Sequence, residues 1–264
     1  MINLLEDIAR VKFLPSYFGV IGQLLSLLDS ENSNMPEIVR LVESDQALAS
    51  RTLTVVNSSF YGLPRQIGRL DEAVIYLGLN ELRNMAMAVA MNDITGGIRT
   101  EEWTHTLAVA HLADRLHSTR RFETRLEDQK WVYAAGLLHD IGRLFLSRNY
   151  MVLYGRILSV CKDRDELIDC EQKIFGYDHA AVGGFMLRQW RIPDQIVEAV
   201  AHHHNPQDNP LARTIQLADT TAHLLEQPRE QVADQVESST GMGWNELSQI
   251  VQKAIDKSSM FHQN

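Results

Sequence analysis

Apolar residues recur at three- and four-residue steps along most of this chain. In PEIVRLVESDQALASRTLTVVN and DEAVIYLGLNELRNMAMAVAMND the spacing gives each segment an apolar stripe, the mark of a helix with one buried face. No stretch reads convincingly as a strand, so the pattern predicts an all-α protein. Pro36 sits where a first helical turn tolerates it, with Ser33 or Asn34 placed to cap that end. Breaks fall at Gly62-Leu63-Pro64, Gly96-Gly97, the charged stretch 119–128, Pro193 and the run from Asn205 to Pro210. No period of about 20–50 residues recurs, which excludes an obvious solenoid. Met85, Met87 and Met91 read as filling on a helix, and Asn57-Ser58-Ser59 as a helix end or turn with a capping role.

Histidine is unevenly distributed. All ten histidines lie at or beyond His105, so chemistry that needs imidazole belongs to the C-terminal part. The division is placed at Gly96-Gly97. It separates an N-terminal helical bundle over 1–97 from a histidine-bearing helical bundle over 98–225. Residues 226–264 read as a helical appendage, broken by Gly241 and Gly243 before WNELSQIVQKAIDK.

The run WVYAAGLLHDIGRLFL carries the strongest local signal. It is apolar on every side up to His139-Asp140, which marks a buried helix. A carboxylate there is costly unless it is paired, hydrogen-bonded or bound to a cation. Two explanations fit the dipeptide equally well. One is a metal, since imidazole and carboxylate together suit iron, manganese or zinc. The other is a His–Asp pair satisfied by neighbouring side chains and backbone.

The remaining histidines divide by helical face. His105 shares a stripe with Val109, Leu112 and Leu116 and so points inward, whereas His111 and His117 have polar neighbours and read as surface residues. His179 follows Asp178, a suitable N-cap, and falls in a first turn facing the same way as Val182 and Met186. His203 and His204 continue the buried stripe of Ile196 and Val200, while His202 falls outside with Glu198. Asp219 is a second acid inside an apolar helix. His223, one turn further on, reads as an outer partner of the same site.

The 264-residue chain is 45% hydrophobic and 22% charged, an ordinary soluble composition. Apolar runs such as Trp131 to Leu138 fall short of the roughly 18 residues that span a bilayer. The opening MINLLEDIAR has an acidic pair where a signal peptide carries basic residues. The expectation is a cytoplasmic protein with no membrane span. Cys161 and Cys170 are too few for a disulfide framework or a structural zinc site and suit a reducing compartment. A formal net charge of −9 argues against nucleic acid or anionic membrane, with only a small basic cluster at Arg120, Arg121 and Arg125.

The order His105, His139-Asp140, Asp219, in the contexts HTLAVAHLA, AAGLLHDIGRL and IQLADTTA, resembles the H…HD…D signature of the HD superfamily. Those are helical, metal-dependent phosphohydrolases of nucleotides and phosphodiesters. His179 and His203-His204 resemble the extra histidines of its HD-GYP branch, which cleaves cyclic di-GMP. FLPSYFGVIGQLLSLL, IVRLVESDQALASRTLTVVNSSFYG and IGRLDEAVIYLGLNELRNM are similar to the N-terminal half of the HDOD family, and YDHAAVGGFMLRQWRIPDQIVEAVAHHHNP to its C-terminal half. The likeness covers about residues 10–225.

The sequence departs from these patterns in three places. Asp45-Gln46 stands for the usual Asp-Pro, NPQDNP follows His204 without a GYP-type loop, and Arg143 replaces the lysine after HD. The second departure argues against cyclic di-GMP hydrolysis. The third leaves a residue able to clamp phosphate with a different donor geometry.

The resemblance implies a bacterial signal-transduction module: an N-terminal bundle packed on an HD-like bundle, partnered by a signalling protein or a phosphorylated small ligand. It implies one or two divalent ions (iron, manganese or zinc) on His105, His139, Asp140, His179, His203, His204 and Asp219, with no organic cofactor. The alternative it implies is a metal-dependent phosphohydrolase, with Asp140 orienting water and Arg143 steadying a phosphate oxygen. A third reading is a helical scaffold whose histidines form a satisfied polar network. Oligomeric state stays open.

Overall fold

The structure, a computed structural model, describes residues 4–10, 22–25, 27, 35–58, 61–94, 100–118 and 129–260. Gly96-Gly97, the stretch 119–128, the two capping choices Ser33 and Asn34, residue Ser59 and the side chain of Met91 lie outside them. The described residues are helical with no strand, as the apolar periodicity requires.

The N-terminal part contains α1 (Leu4–Arg10), α2 (Met35–Glu43), α3 (Gln46–Val56), α4 (Leu70–Leu77) and α5 (Leu79–Ile94). The histidine-bearing part contains α6 (Thr100–Ser118), α7 (Gln129–Leu138), α8 (Ile141–Asn149), α9 (Met151–Val160), α10 (Arg164–Phe175), α11 (His179–Gln189), α12 (Asp194–Ala201) and α13 (Pro210–Leu225). Helices α14 (Arg229–Thr240) and α15 (Trp244–Met260) follow.

In the N-terminal part α3 packs on α5, with Met85 and Met87 buried between helices. Asn57 closes the turn after α3. Its amide donates to the carbonyls of Leu53 and Ile67, and its oxygen accepts from the Ile67 amide at 2.7 Å. Contact with the second part runs through α5 and α7, and the Tyr150 hydroxyl donates to Asp7 on α1. Buried apolar side chains from Leu4 to Ala254 form one cluster.

Helix α6 is the hub of the second part, packed by α7, α13 and α15. Arg115 of α6 donates to Glu246 of α15. Cover from several sides corrects one expectation: His117 is buried, at 7% exposure, although its sequence neighbours are polar. His111 is half-buried with its ring edge-on to Tyr133, 5.2 Å between centroids. Sequence neighbours report only the helix's own face, and other helices cover the rest. Among the described residues no helix is long and apolar enough to cross a membrane, and Cys161 and Cys170 are both free.

Two backbone approaches bring the site helices together. A Cβ on Gly136 would stand 2.7 Å from the Cα of Ala110, so α6 and α7 touch main chain to main chain. A Cβ on Gly142 would stand 2.0 Å from the His179 carbonyl oxygen and 2.5 Å from the Gly183 nitrogen. The first turn of α8, two residues after Asp140, therefore lies directly on the first turn of α11, which begins with His179.

Neither neighbour at Gly142 is a flexible side chain, so Gly142→Ala has to push α8 and α11 apart. Its expected cost is about 3 kcal/mol, the upper range for overpacking a core, read as a lower urea midpoint at unchanged slope.

Candidate metal centre

Asp140 occupies the N-cap of α8, yet its side chain caps nothing. A capping carboxylate would normally accept from the first-turn amides. Here Oδ1 lies 3.3 Å from His179 Nε2 and 3.9 Å from His203 Nε2, and Oδ2 lies 3.6 Å from His139 Nε2 and 3.3 Å from Arg143 Nη1. The Asp140 carboxylate thus stands between two groups of imidazoles. Asp219, from the middle of α13, has Oδ1 at 3.1 Å from His105 Nε2 and 3.9 Å from His139 Nε2. Its Oδ2 meets Arg164 Nη2 at 2.9 Å.

The backbone fixes which ring nitrogens face inward. His139 Nδ1 lies 2.8 Å from the Gly136 carbonyl, and His203 Nδ1 lies 2.7 Å from the Val200 carbonyl. A carbonyl can only accept, so both rings hold their proton at Nδ1 and keep a lone pair at Nε2. Those two Nε2 atoms are buried and have no hydrogen-bond partner. This is the tautomer that ligating histidines hold, with the outer nitrogen donating to a carbonyl or carboxylate.

His179 is set the same way by a carboxylate. Asp178 caps α11 by accepting from the Ala181 amide at 2.8 Å, which places His179 in the first turn. Glu171 of α10, wholly buried, accepts from the His179 amide at 2.8 Å and from its Nδ1 at 2.7 Å. The other Glu171 oxygen accepts from the Tyr154 hydroxyl. His179 Nε2 then meets His204 Nε2 at 2.7 Å.

The charges follow from these contacts. Burial alone would raise the Asp140 carboxyl, but His139, His179 and Arg143 outweigh it and hold it well below the usual carboxylate range. Asp219 is likewise buried and yet driven down by His105, His139 and Arg164. Burial pulls His179 down, but Asp140 and Glu171 overcome it and push it up to about 10. Burial, with its histidine neighbours, lowers His203 to about 4 and takes His204 down as well. In the metal-free chain, His179 Nε2 accordingly carries a proton directed at Asp140 and His204.

All seven expected ligands converge, including His203 and His204 as the inward pair, while His202 is exposed beside Glu198 at 3.4 Å. The donor set is imidazole nitrogen and carboxylate oxygen without thiolate, which suits iron, manganese or zinc. A cleft of about 750 Å³ opens onto Asp140, Arg143, His179, His204, Asp219 and His223, and a smaller opening of about 210 Å³ reaches His105 and His223. The first lies within the usual small-ligand range of about 300–1,000 Å³ and the second below it.

Two residues of the site were not singled out from sequence. Arg164 anchors Asp219, and Glu171 anchors His179. Glu171 had a readable signal, since it lies on the buried stripe of α10 between Leu167 and Phe175. Arg164 had none, because its contact with Asp219 crosses from α10 to α13.

This arrangement sits in a chain that is helical throughout its described residues, with no strand. The HDOD domain family's profile matches residues 14–206, and the chain belongs to that family. A protein of Treponema pallidum (strain Nichols) is 24% identical over 236 residues, covering 84% of this chain and 45% of its own length. The chain thus spans under half of that relative. A proposed phosphohydrolase from Shewanella amazonensis superimposes with TM-score 0.75 at 21% identity, covering 98% of this chain and 97% of its own. A proposed signal transduction protein from Marinobacter aquaeolei gives 0.75 at 23%, covering 100% of this chain and 62% of its own. At these identities the structural likeness speaks for the fold.

Glu171→Gln keeps the volume but replaces one carboxylate oxygen with an amide nitrogen that cannot accept. The expected result is a 10–100-fold loss of metal affinity, the usual size for removing the outer partner of a ligating histidine. Competition with a chromogenic chelator reads it.

Proposed function

We propose that this chain is an HDOD signalling module that binds one or two divalent metal ions among His105, His139, Asp140, His179, His203, His204 and Asp219, and through them a phosphorylated ligand in the adjoining cleft. One observation carries the reading. The Nε2 atoms of His139 and His203 are buried, carry a lone pair because each ring donates its Nδ1 proton to a backbone carbonyl, and are left without a hydrogen-bond partner. A satisfied polar network would have no reason to leave two buried acceptors empty, and a cation beside Asp140 fits both.

The cleft favours a second reading, hydrolysis of a phosphoester, because it gives a ligand access to Asp140 and Arg143. When bound, a divalent metal supplies Lewis acidity and lowers the pKa of water at the site. The chain's own groups would do the rest. Asp140, held ionised, would orient the attacking water. The Arg143 guanidinium, whose buried Nε has no partner, would hold a phosphate oxygen.

Elemental mass spectrometry of protein purified without chelator is the direct test. Iron, manganese or zinc near stoichiometry is expected, lost in the double variant His139→Ala, Asp140→Ala. Wild-type protein that stays folded and takes up no metal on reconstitution would remove the reading. Phosphoester turnover that appears with metal and vanishes in the variant would establish the hydrolase.

Metal must also displace the His179 proton, which is held up to about pH 10. Binding at neutral pH is therefore expected to release a proton, with affinity rising about tenfold per pH unit until that value is reached. Calorimetry in buffers of different ionisation enthalpy measures the released proton.

A further inference from the structure

His223 stands one helical turn after Asp219 on α13, at the smaller opening. Its Nε2 lies 3.4 Å from Asp219 Oδ1, and its ring stacks on His105 at 4.5 Å between centroids and 25° between planes. Both Nε2 atoms are turned to the same oxygen, Asp219 Oδ1. Three imidazole nitrogens, from His105, His139 and His223, therefore face one carboxylate oxygen at 3.1, 3.9 and 3.4 Å.

Hydrogen bonding accounts for His105, whose Nε2 bonds Asp219 Oδ1 at 3.1 Å, but not for the convergence of three rings on one oxygen. Asp219 Oδ2 is already engaged by Arg164, leaving Oδ1 for the histidines. His139 cannot donate to it, because its proton is committed to the Gly136 carbonyl, and its buried Nε2 is the unpartnered atom aimed at the group. A cation shared by these atoms meets the need of each.

We propose that His223 is a further ligand of the metal held by His105, His139, Asp140 and Asp219. The inference rests on the metal-binding reading above. The larger cleft is lined by His179 and His204 and also by Asp219 and His223, and His223 lines the smaller opening as well. The proposal thus places an additional protein ligand, on a half-exposed side chain 43% accessible, where both openings reach the Asp219 half of the centre. Glu226, whose Oε2 lies 3.7 Å from His223 Nδ1, steadies that ring from the outside.

The test loads metal-free protein with Co²⁺ and follows its visible absorption bands, comparing wild type, His223→Gln and His202→Gln. His202 is an exposed histidine outside the cluster and serves as control. His223→Gln is expected to change the band positions or intensities and to weaken one bound ion by at least about tenfold, no less than the loss of a ligand's outer partner. The melting temperature of its metal-free form is expected to match wild type. Bands and affinity identical to wild type would overturn the role of His223 while leaving the metal centre standing. Wild-type protein that takes up no Co²⁺ would overturn both.

Discussion

Burying Asp140 and Asp219 among apolar helices removes them from water, and an isolated carboxylate in that position would take up a proton or pull its surroundings apart. In this chain both stay ionised because imidazoles and arginines are brought to them from five other segments. Asp140 is met by His139, Arg143, His179 and His203. Asp219 is met by His105, His139, Arg164 and His223. His139 belongs to both groups, and that shared ring is what makes the cluster one centre.

The rest of the fold follows from holding those groups at contact distance. Helix α8 must lie against α11 closely enough for Asp140 to reach His179, and only glycine at 142 permits it. Helix α6 must lie against α7 so that His105 and His139 share Asp219, and Gly136 permits that. The same Gly136 offers its carbonyl to His139 Nδ1, so one residue sets both the helix spacing and the tautomer. Glu171 adds the last restraint, tying α10 to the first turn of α11 through the amide and the ring of His179.

The cluster is also tied to the rest of this HDOD-family chain. Among the described residues the N-terminal helices place no side chain in this cluster, but they share the core with the second part through α5, α7 and the Tyr150–Asp7 hydrogen bond. The cleft mixes the basic Arg143 and Arg164 with the acids Asp163 and Asp165.

Much of this was legible in the chain itself. Helical periodicity gave the all-α fold, the absence of histidine before residue 105 assigned the chemistry to the later helices, and the phase of Ile196 and Val200 separated the inward His203 and His204 from the outward His202. These are local properties, set by a period of 3.6 residues and by the preference of apolar faces for the interior. His117 shows where locality fails, since its burial comes from packing around α6 and leaves no trace in its neighbours. Arg164 on Asp219, the stacking of His223 on His105 and the role of Glu171 were likewise decided only by tertiary structure. Each depends on the distance and angle between helices far apart in sequence, which the close approaches at Gly136 and Gly142 fix and which no single helix's pattern encodes.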